Sequence, residues 1–110
     1  MRGLSVWVCL ALAGAAACAD SEVSRVLGAR CDSDRECDQR CETGNDFPGG
    51  FCSLHCRTDG DCPDGARCAP QLEGGVCLVA CRGNSDCDFL GSRWGCVSQS
   101  GASGNVCLGD

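Results

Sequence analysis

The chain contains no lysine, no tyrosine and no isoleucine, and His55 is its single histidine. One histidine without a second base leaves the Ser/His/Asp and Cys/His arrangements of nucleophilic catalysis incomplete. All nine basic residues are arginines, and fifteen acidic residues give a net charge of -6. An acidic chain without a basic face or surface aromatics is a poor candidate for binding nucleic acid. We therefore expect neither an enzyme nor a nucleic-acid-binding protein.

The sequence also lacks an apolar run of the roughly twenty residues that a membrane-spanning helix needs. Its longest run extends from Leu4 to Ala17 and follows a positively charged start, which is typical of a secretory signal peptide. We assign residues 1–19 to this peptide. Cleavage after Ala19 would release a secreted protein, whereas the segment Ala15–Cys18 resembles a bacterial lipobox that would make Cys18 the lipidated first residue.

Either route predicts an exported protein, which is secreted or is a lipoprotein of the outer surface or periplasm. Its only membrane contact would be a lipid on Cys18. Residues 20–30 are then expected to form a short polar tether.

Cysteine is abundant, with fourteen copies in 110 residues. Twelve of them form three copies of one unit, which start at Cys31, Cys56 and Cys81, at intervals of 25 residues. A fixed period with one variable interval is typical of tandem repeats. The predicted domain spans residues 31–107, divided into 31–55, 56–80 and 81–107. In order, the cysteines of the units are Cys31, Cys37, Cys41 and Cys52; Cys56, Cys62, Cys68 and Cys77; and Cys81, Cys87, Cys96 and Cys107.

These cysteines are expected to form six disulfides. Small exported domains with few large apolar side chains need such cross-links, each of which stabilises by about 2–4 kcal/mol. Pairing the first cysteine of a unit with the third, and the second with the fourth, would join its two halves. Four cysteines allow three connectivities, however, and the sequence leaves all three open.

Each unit predicts a tight turn followed by a small hairpin. The C-x5-C segment has Asp or Asn three residues after the first cysteine and an acid before the second, which favours Asx-turns and capped helical turns. Glycine pairs in the second half favour hairpin turns. We therefore predict a small disulfide-rich fold of three tandem units of about 25 residues, with little regular secondary structure.

Two kinds of metal site compete with this interpretation. The C-x3-C spacings would permit zinc, but an oxidising compartment favours disulfides. Alternating acids could bind calcium, although the sequence has no complete EF-hand loop, and turn formation explains the same residues. We expect no cofactor. The weak calcium candidates are Asp59, Asp61 and Asp64, with similar alternation at Asp32, Asp34, Glu36 and Asp38 and at Asn84, Asp86 and Asp88.

Two aromatic residues, Phe89 and Trp94, are expected to form the core of the third unit. An exposed Trp94 with a binding role is the alternative. The interval that follows the second cysteine, and the loop after the third, differ from unit to unit. Recognition is expected in these variable parts.

The pattern C-x-[ST]-D-x-[DE]-C at Cys31–Cys37 and Cys56–Cys62 resembles the cysteine-rich repeats of secreted and lipid-anchored bacterial proteins of the myxobacterial type. It is similar to the N-terminal cysteine-rich module of Dickkopf proteins and, more loosely, to animal EB-type modules. The third unit departs from the pattern with Asn84, and the first has a short Cys37–Cys41 interval. The resemblance to Dickkopf modules implies binding to other extracellular proteins.

These observations lead to two functional hypotheses. The first is a non-enzymatic, disulfide-stapled module that is structural or binds an extracellular protein or glycan. The second is a small protease inhibitor, because disulfide scaffolds often present a rigid loop to a protease. The candidate inhibitory loops are Glu42–Phe51 and Gln71–Val76.

Overall fold

The computed structural model of the protein describes residues 24–109. The predicted signal peptide, the lipobox with Cys18 and the first residues of the predicted tether lie outside this range. Within it, no helix is both long enough and apolar enough to cross a bilayer.

The described chain has three antiparallel hairpins, each preceded by a short 3₁₀ helix. The small disulfide-rich fold predicted from the sequence is thus confirmed. The 3₁₀ helices span Asp34–Glu36, Asp59–Asp61 and Asn84–Leu90, and the strands are β1 (Arg40–Glu42), β2 (Phe51–Ser53), β3 (Ala66–Ala69), β4 (Val76–Val79), β5 (Trp94–Ser98) and β6 (Asn105–Gly109). The hairpins are β1–β2, β3–β4 and β5–β6.

The disulfides join each C-x5-C turn to the hairpin of its own unit. The third and fourth cysteines of a unit are directly opposite on the two strands, as Cys68 and Cys77 are in the second hairpin. Each of them bonds back to the turn rather than across the hairpin. The pairing is therefore first with third and second with fourth in all three units: Cys31–Cys41, Cys37–Cys52, Cys56–Cys68, Cys62–Cys77, Cys81–Cys96 and Cys87–Cys107.

The segment before each unit's first cysteine adds a third strand-like segment to the hairpin. The backbone N–H of Cys77 donates to Leu54 O at 3.1 Å, and that of Cys81 donates to Asn105 O at 3.1 Å. Successive units are thus joined because the end of one hairpin pairs with the next.

Residues 24–30 add a strand-like segment to the hairpin of the first unit in the same way. The prediction that residues 20–30 form a tether is therefore wrong for residues 24–30. Gly28 N–H donates to Cys52 O at 2.9 Å, Cys52 N–H donates to Ala29 O at 2.8 Å, and Leu27 is buried. The polar composition of 20–30 hid this because backbone hydrogen bonds need no particular side chains.

The main core joins the units, with Phe47, Phe51 and Trp94 as its aromatic members. The centroids of these three rings are 5.2–6.4 Å apart. The indole Nε1 of Trp94 also donates to Pro48 O at 3.1 Å. Trp94 is therefore a core residue, as expected. Phe89 is not, because 41% of its surface is exposed.

Candidate binding surface

The acids of the C-x5-C turns hold the backbone of their own units. In every unit, the backbone N–H of the third cysteine donates to the side chain of the residue that lies three positions after the first cysteine. The donor–acceptor distance is 2.8 Å in all three units: Cys41 to Asp34, Cys68 to Asp59 and Cys96 to Asn84. Because the acceptor is a single oxygen, Asn serves as well as Asp. This explains the departure of the third unit from the sequence pattern.

The acid before the second cysteine accepts a hydrogen bond from the start of its turn. Asp61 accepts from Arg57 N–H at 2.8 Å and from Thr58 N–H at 3.2 Å. Glu36 and Asp86 accept in the same way from Asp32 N–H and Arg82 N–H. Both acidic positions of the turn are therefore structural.

Two of these carboxylates have lowered pKa values. Hydrogen bonds from Ser103 Oγ and then from Cys68 N–H lower the pKa of Asp59, and the N–H groups of Arg57 and Thr58 lower that of Asp61. Each bond stabilises the ionised form.

The calcium candidates Asp59, Asp61 and Asp64 are not brought together. Within residues 24–109, only cysteines form groups of three metal-ligating atoms close to one another. The sulfurs of these groups are all in disulfides, so they offer no thiolate to zinc. The described residues thus supply neither a calcium nor a zinc site.

The variable loops contact other units rather than standing free. Asp46 O of the first unit accepts from Gly109 N–H at 2.7 Å. Arg40 donates to Gly75 O of the second unit at 3.0 Å. Ser103 of the third unit donates to Asp59 of the second at 2.5 Å. Each variable loop thus takes part in assembling the domain, and recognition at these loops stays a prediction.

One ion pair of the first unit joins the half-buried Arg40 to the buried Glu42. Burial raises the pKa of Glu42, and the attraction of Arg40 offsets this only in part. The pair lies next to the contact of Arg40 with the second unit, so it belongs to the joint between units.

An apolar groove lies beside Val79 and the Pro63–Gly65 loop. Its first part, about 630 Å³, is lined by Ser24, Val26, Leu27, the Pro63–Gly65 loop and Val79. Its second part, about 470 Å³, is lined by Gly65, Val79, Ala80, Asp86 and Phe89. Gly65 and Val79 line both parts, so the two depressions adjoin each other. We call this surface the apolar groove.

Sequence reasoning missed this groove because its residues come from three distant segments. Of the lining residues only Asp86 belongs to the C-x5-C motif, and the N-terminal segment was predicted to be a tether. No local sequence pattern indicates that the side chain of Phe89 is exposed. Packing of the N-terminal segment places Val26 and Leu27 near Val79, and the third unit places Phe89 near Val79.

Comparison with known proteins gives no match: no family model fits the chain, and no curated protein or solved structure is significantly similar to it. The functional argument therefore depends on the geometry of the molecule.

Proposed function

We propose that the protein is a non-enzymatic, exported module that binds an extracellular protein or glycan. The observation that supports this best is the apolar groove, because a preformed apolar depression with an exposed aromatic residue is typical of a binding site. The six disulfides indicate maturation in an oxidising compartment. In the finer form of the proposal, the protein is secreted or is anchored through a lipid on Cys18.

The residues that could carry other chemistry are used structurally. The twelve cysteines are oxidised, and the acids that begin each unit accept backbone hydrogen bonds. His55 is exposed. Binding needs none of these groups.

A protease inhibitor is less well supported by the two candidate loops. An inhibitory loop is extended and exposed, whereas Glu42–Phe51 buries Phe47 in the core. The loop Gln71–Val76 is a series of tight turns, with positive φ at Glu73, Gly74 and Gly75. Incubation with serine and cysteine proteases at micromolar concentration tests this alternative, and we expect no inhibition.

Arrays of extracellular proteins and of glycans test the main proposal. We expect saturable binding of the oxidised protein, and loss of that binding after reduction and alkylation. The intact mass of the oxidised form should lie about twelve daltons below the reduced mass, two for each disulfide. Absence of any ligand on both arrays, or equal binding by the alkylated chain, would contradict the proposal.

Mass spectrometry of the mature N-terminus tests the mode of export. Lipidated Cys18 would place the protein on a membrane, and a start at Asp20 would make it a freely secreted protein. A mature chain that retains residues 1–17 would contradict export by either route.

A further inference from the structure

Phe89 stands out among the aromatic residues of residues 24–109. It is 41% exposed, whereas Phe47, Phe51 and Trp94 are each exposed by 6% or less. Phe89 lines the apolar groove with Val79 and Ala80. Large aromatic side chains at the edge of an apolar depression are frequent binding hot spots.

The lining of the groove is held by hydrogen bonds and a disulfide of the protein itself. Ala80 N–H donates to Gly65 O at 2.9 Å and Ala66 N–H donates to Pro63 O at 3.1 Å, which fixes the Pro63–Gly65 loop. The Cys62–Cys77 disulfide adjoins both this loop and β4. A preformed site loses little conformational entropy when it binds.

The charge of the groove has one sign. Asp64 and Asp86 line it, while no arginine or histidine does. Asp64 is exposed and forms no ion pair or side-chain hydrogen bond with any other described residue. The whole protein carries a net charge of -6, so long-range attraction also favours a basic partner.

From these observations we propose that the apolar groove binds an extended, apolar segment of a partner protein that carries a basic side chain. Its apolar side chains would contact Phe89, Val79 and Val26, and its basic side chain would approach Asp64. A glycan fits less well, because it needs many hydrogen-bond partners and the lining is mainly apolar. This inference rests on the proposed binding function and names the chemistry of the partner.

Peptide titration of the ¹⁵N-labelled protein, followed by NMR, tests the inference. The mature chain from Asp20 is titrated with acetyl-Leu-Arg-Val-Arg-Leu-amide and with the same peptide carrying Glu instead of Arg. We expect saturable shifts at the amides of Gly65, Val79, Ala80 and Phe89 with the Arg peptide only. Shifts confined to other residues, equal binding of the Glu peptide, or no binding of either at millimolar concentration would overturn it.

Variants identify the contributing side chains. Phe89→Ala should weaken binding of the Arg peptide about tenfold, and Asp64→Asn should weaken it about threefold and reduce its salt dependence. The matched control is Val97→Ala, because Val97 is 38% exposed and lies outside the groove. A loss from Val97→Ala as large as from Phe89→Ala would contradict the inference. Unchanged spectra away from the groove show that each variant is folded.

A chain that starts at Ser24 tests a different occupant. If the protein's own residues 20–23 fill the groove, their removal should strengthen peptide binding about tenfold or more, which would overturn the inference. Unchanged affinity supports it. An array partner whose binding is unaffected by Phe89→Ala would leave the proposed function standing and exclude the groove as its site.

Discussion

The C-x5-C turns and the loops after the third cysteine have opposite roles in this molecule. The turns repeat the same hydrogen bonds in all three units, from a backbone N–H to a side chain of the same unit. The loops differ in length and sequence, and each is involved in a contact with another unit. The repeated part builds each unit, and the variable part joins the units.

This difference gives the variable loops a role in assembly, besides any part that they take in recognition. Each of the three loops contacts a different part of the molecule. The apolar groove, which we propose as the binding surface, is formed mainly by residues outside the repeat pattern, such as Val26, Pro63 and Phe89.

Loss of the aromatic contact between units should have the largest effect. Trp94→Ala removes a buried ring that contacts Phe47 and Phe51, and it should lower the free energy of unfolding by about 3–5 kcal/mol. Urea unfolding of the oxidised protein, followed by circular dichroism, measures it. In the control Trp94→Phe, most of the packing remains and the bond to Pro48 O is lost, so the cost should be about 1 kcal/mol. Equal effects of the two variants would mean that packing between units contributes little.

A methyl group at Gly50 should cost nearly as much. Gly50 has φ +81°, and a Cβ there would overlap with the backbone oxygen of Cys31. Strain and steric overlap together predict a destabilisation of about 3 kcal/mol for Gly50→Ala. The control is Gly44→Ala, at φ +104° with open space around it, for which conformational strain alone predicts about 1 kcal/mol. A smaller loss at Gly50 than at Gly44 would contradict the close contact.

The turn acids should matter through their oxygen rather than their charge. Asp34→Ala removes the acceptor for Cys41 N–H and should cost about 1 kcal/mol of unfolding free energy. Asp34→Asn keeps an oxygen that can accept this bond, as Asn84 does in the third unit. It should therefore cost less than half as much unfolding free energy as Asp34→Ala. Urea unfolding with and without calcium provides the measurement. Stabilisation by calcium that disappears in Asp34→Asn would restore the metal interpretation.

The smallest expected effect is a difference in pH dependence between units. Asp59 and Asp61 have pKa values below the ordinary 3.8, so their stabilisation is present above that pH and is lost as the pH falls through the folded-state pKa. Glu42 has a pKa above its ordinary 4.5. The protonated form of Glu42 therefore stabilises the fold below pH 4.5. This stabilisation is lost as the pH rises through the raised pKa of Glu42.

Unfolding free energies measured from pH 2 to 7 should separate the two contributions. Asp61→Asn should reduce the loss of stability at low pH, and Glu42→Gln should remove the decline above pH 4.5. An unchanged pH profile in both variants would contradict these assignments.

Much of the unit could be predicted from sequence because its determinants are local. Cysteine spacing, the acids of the turns and the glycine pairs all act within about 25 residues of each other. The exposure of Phe89 and the docking of residues 24–30 could not be predicted, because they depend on contacts between units. No periodic pattern encodes such contacts in a chain with so little regular secondary structure.

Disulfide mapping of the exported protein tests the central claim most directly, namely that each unit is cross-linked within itself. An arginine lies between the first and second cysteines of every unit, at Arg35, Arg57 and Arg82, so trypsin with a second, broad-specificity protease can separate the pairs without reduction. Mass spectrometry should find only first-to-third and second-to-fourth linkages within each unit. A linkage between units, or free thiols among the twelve cysteines, would contradict the account.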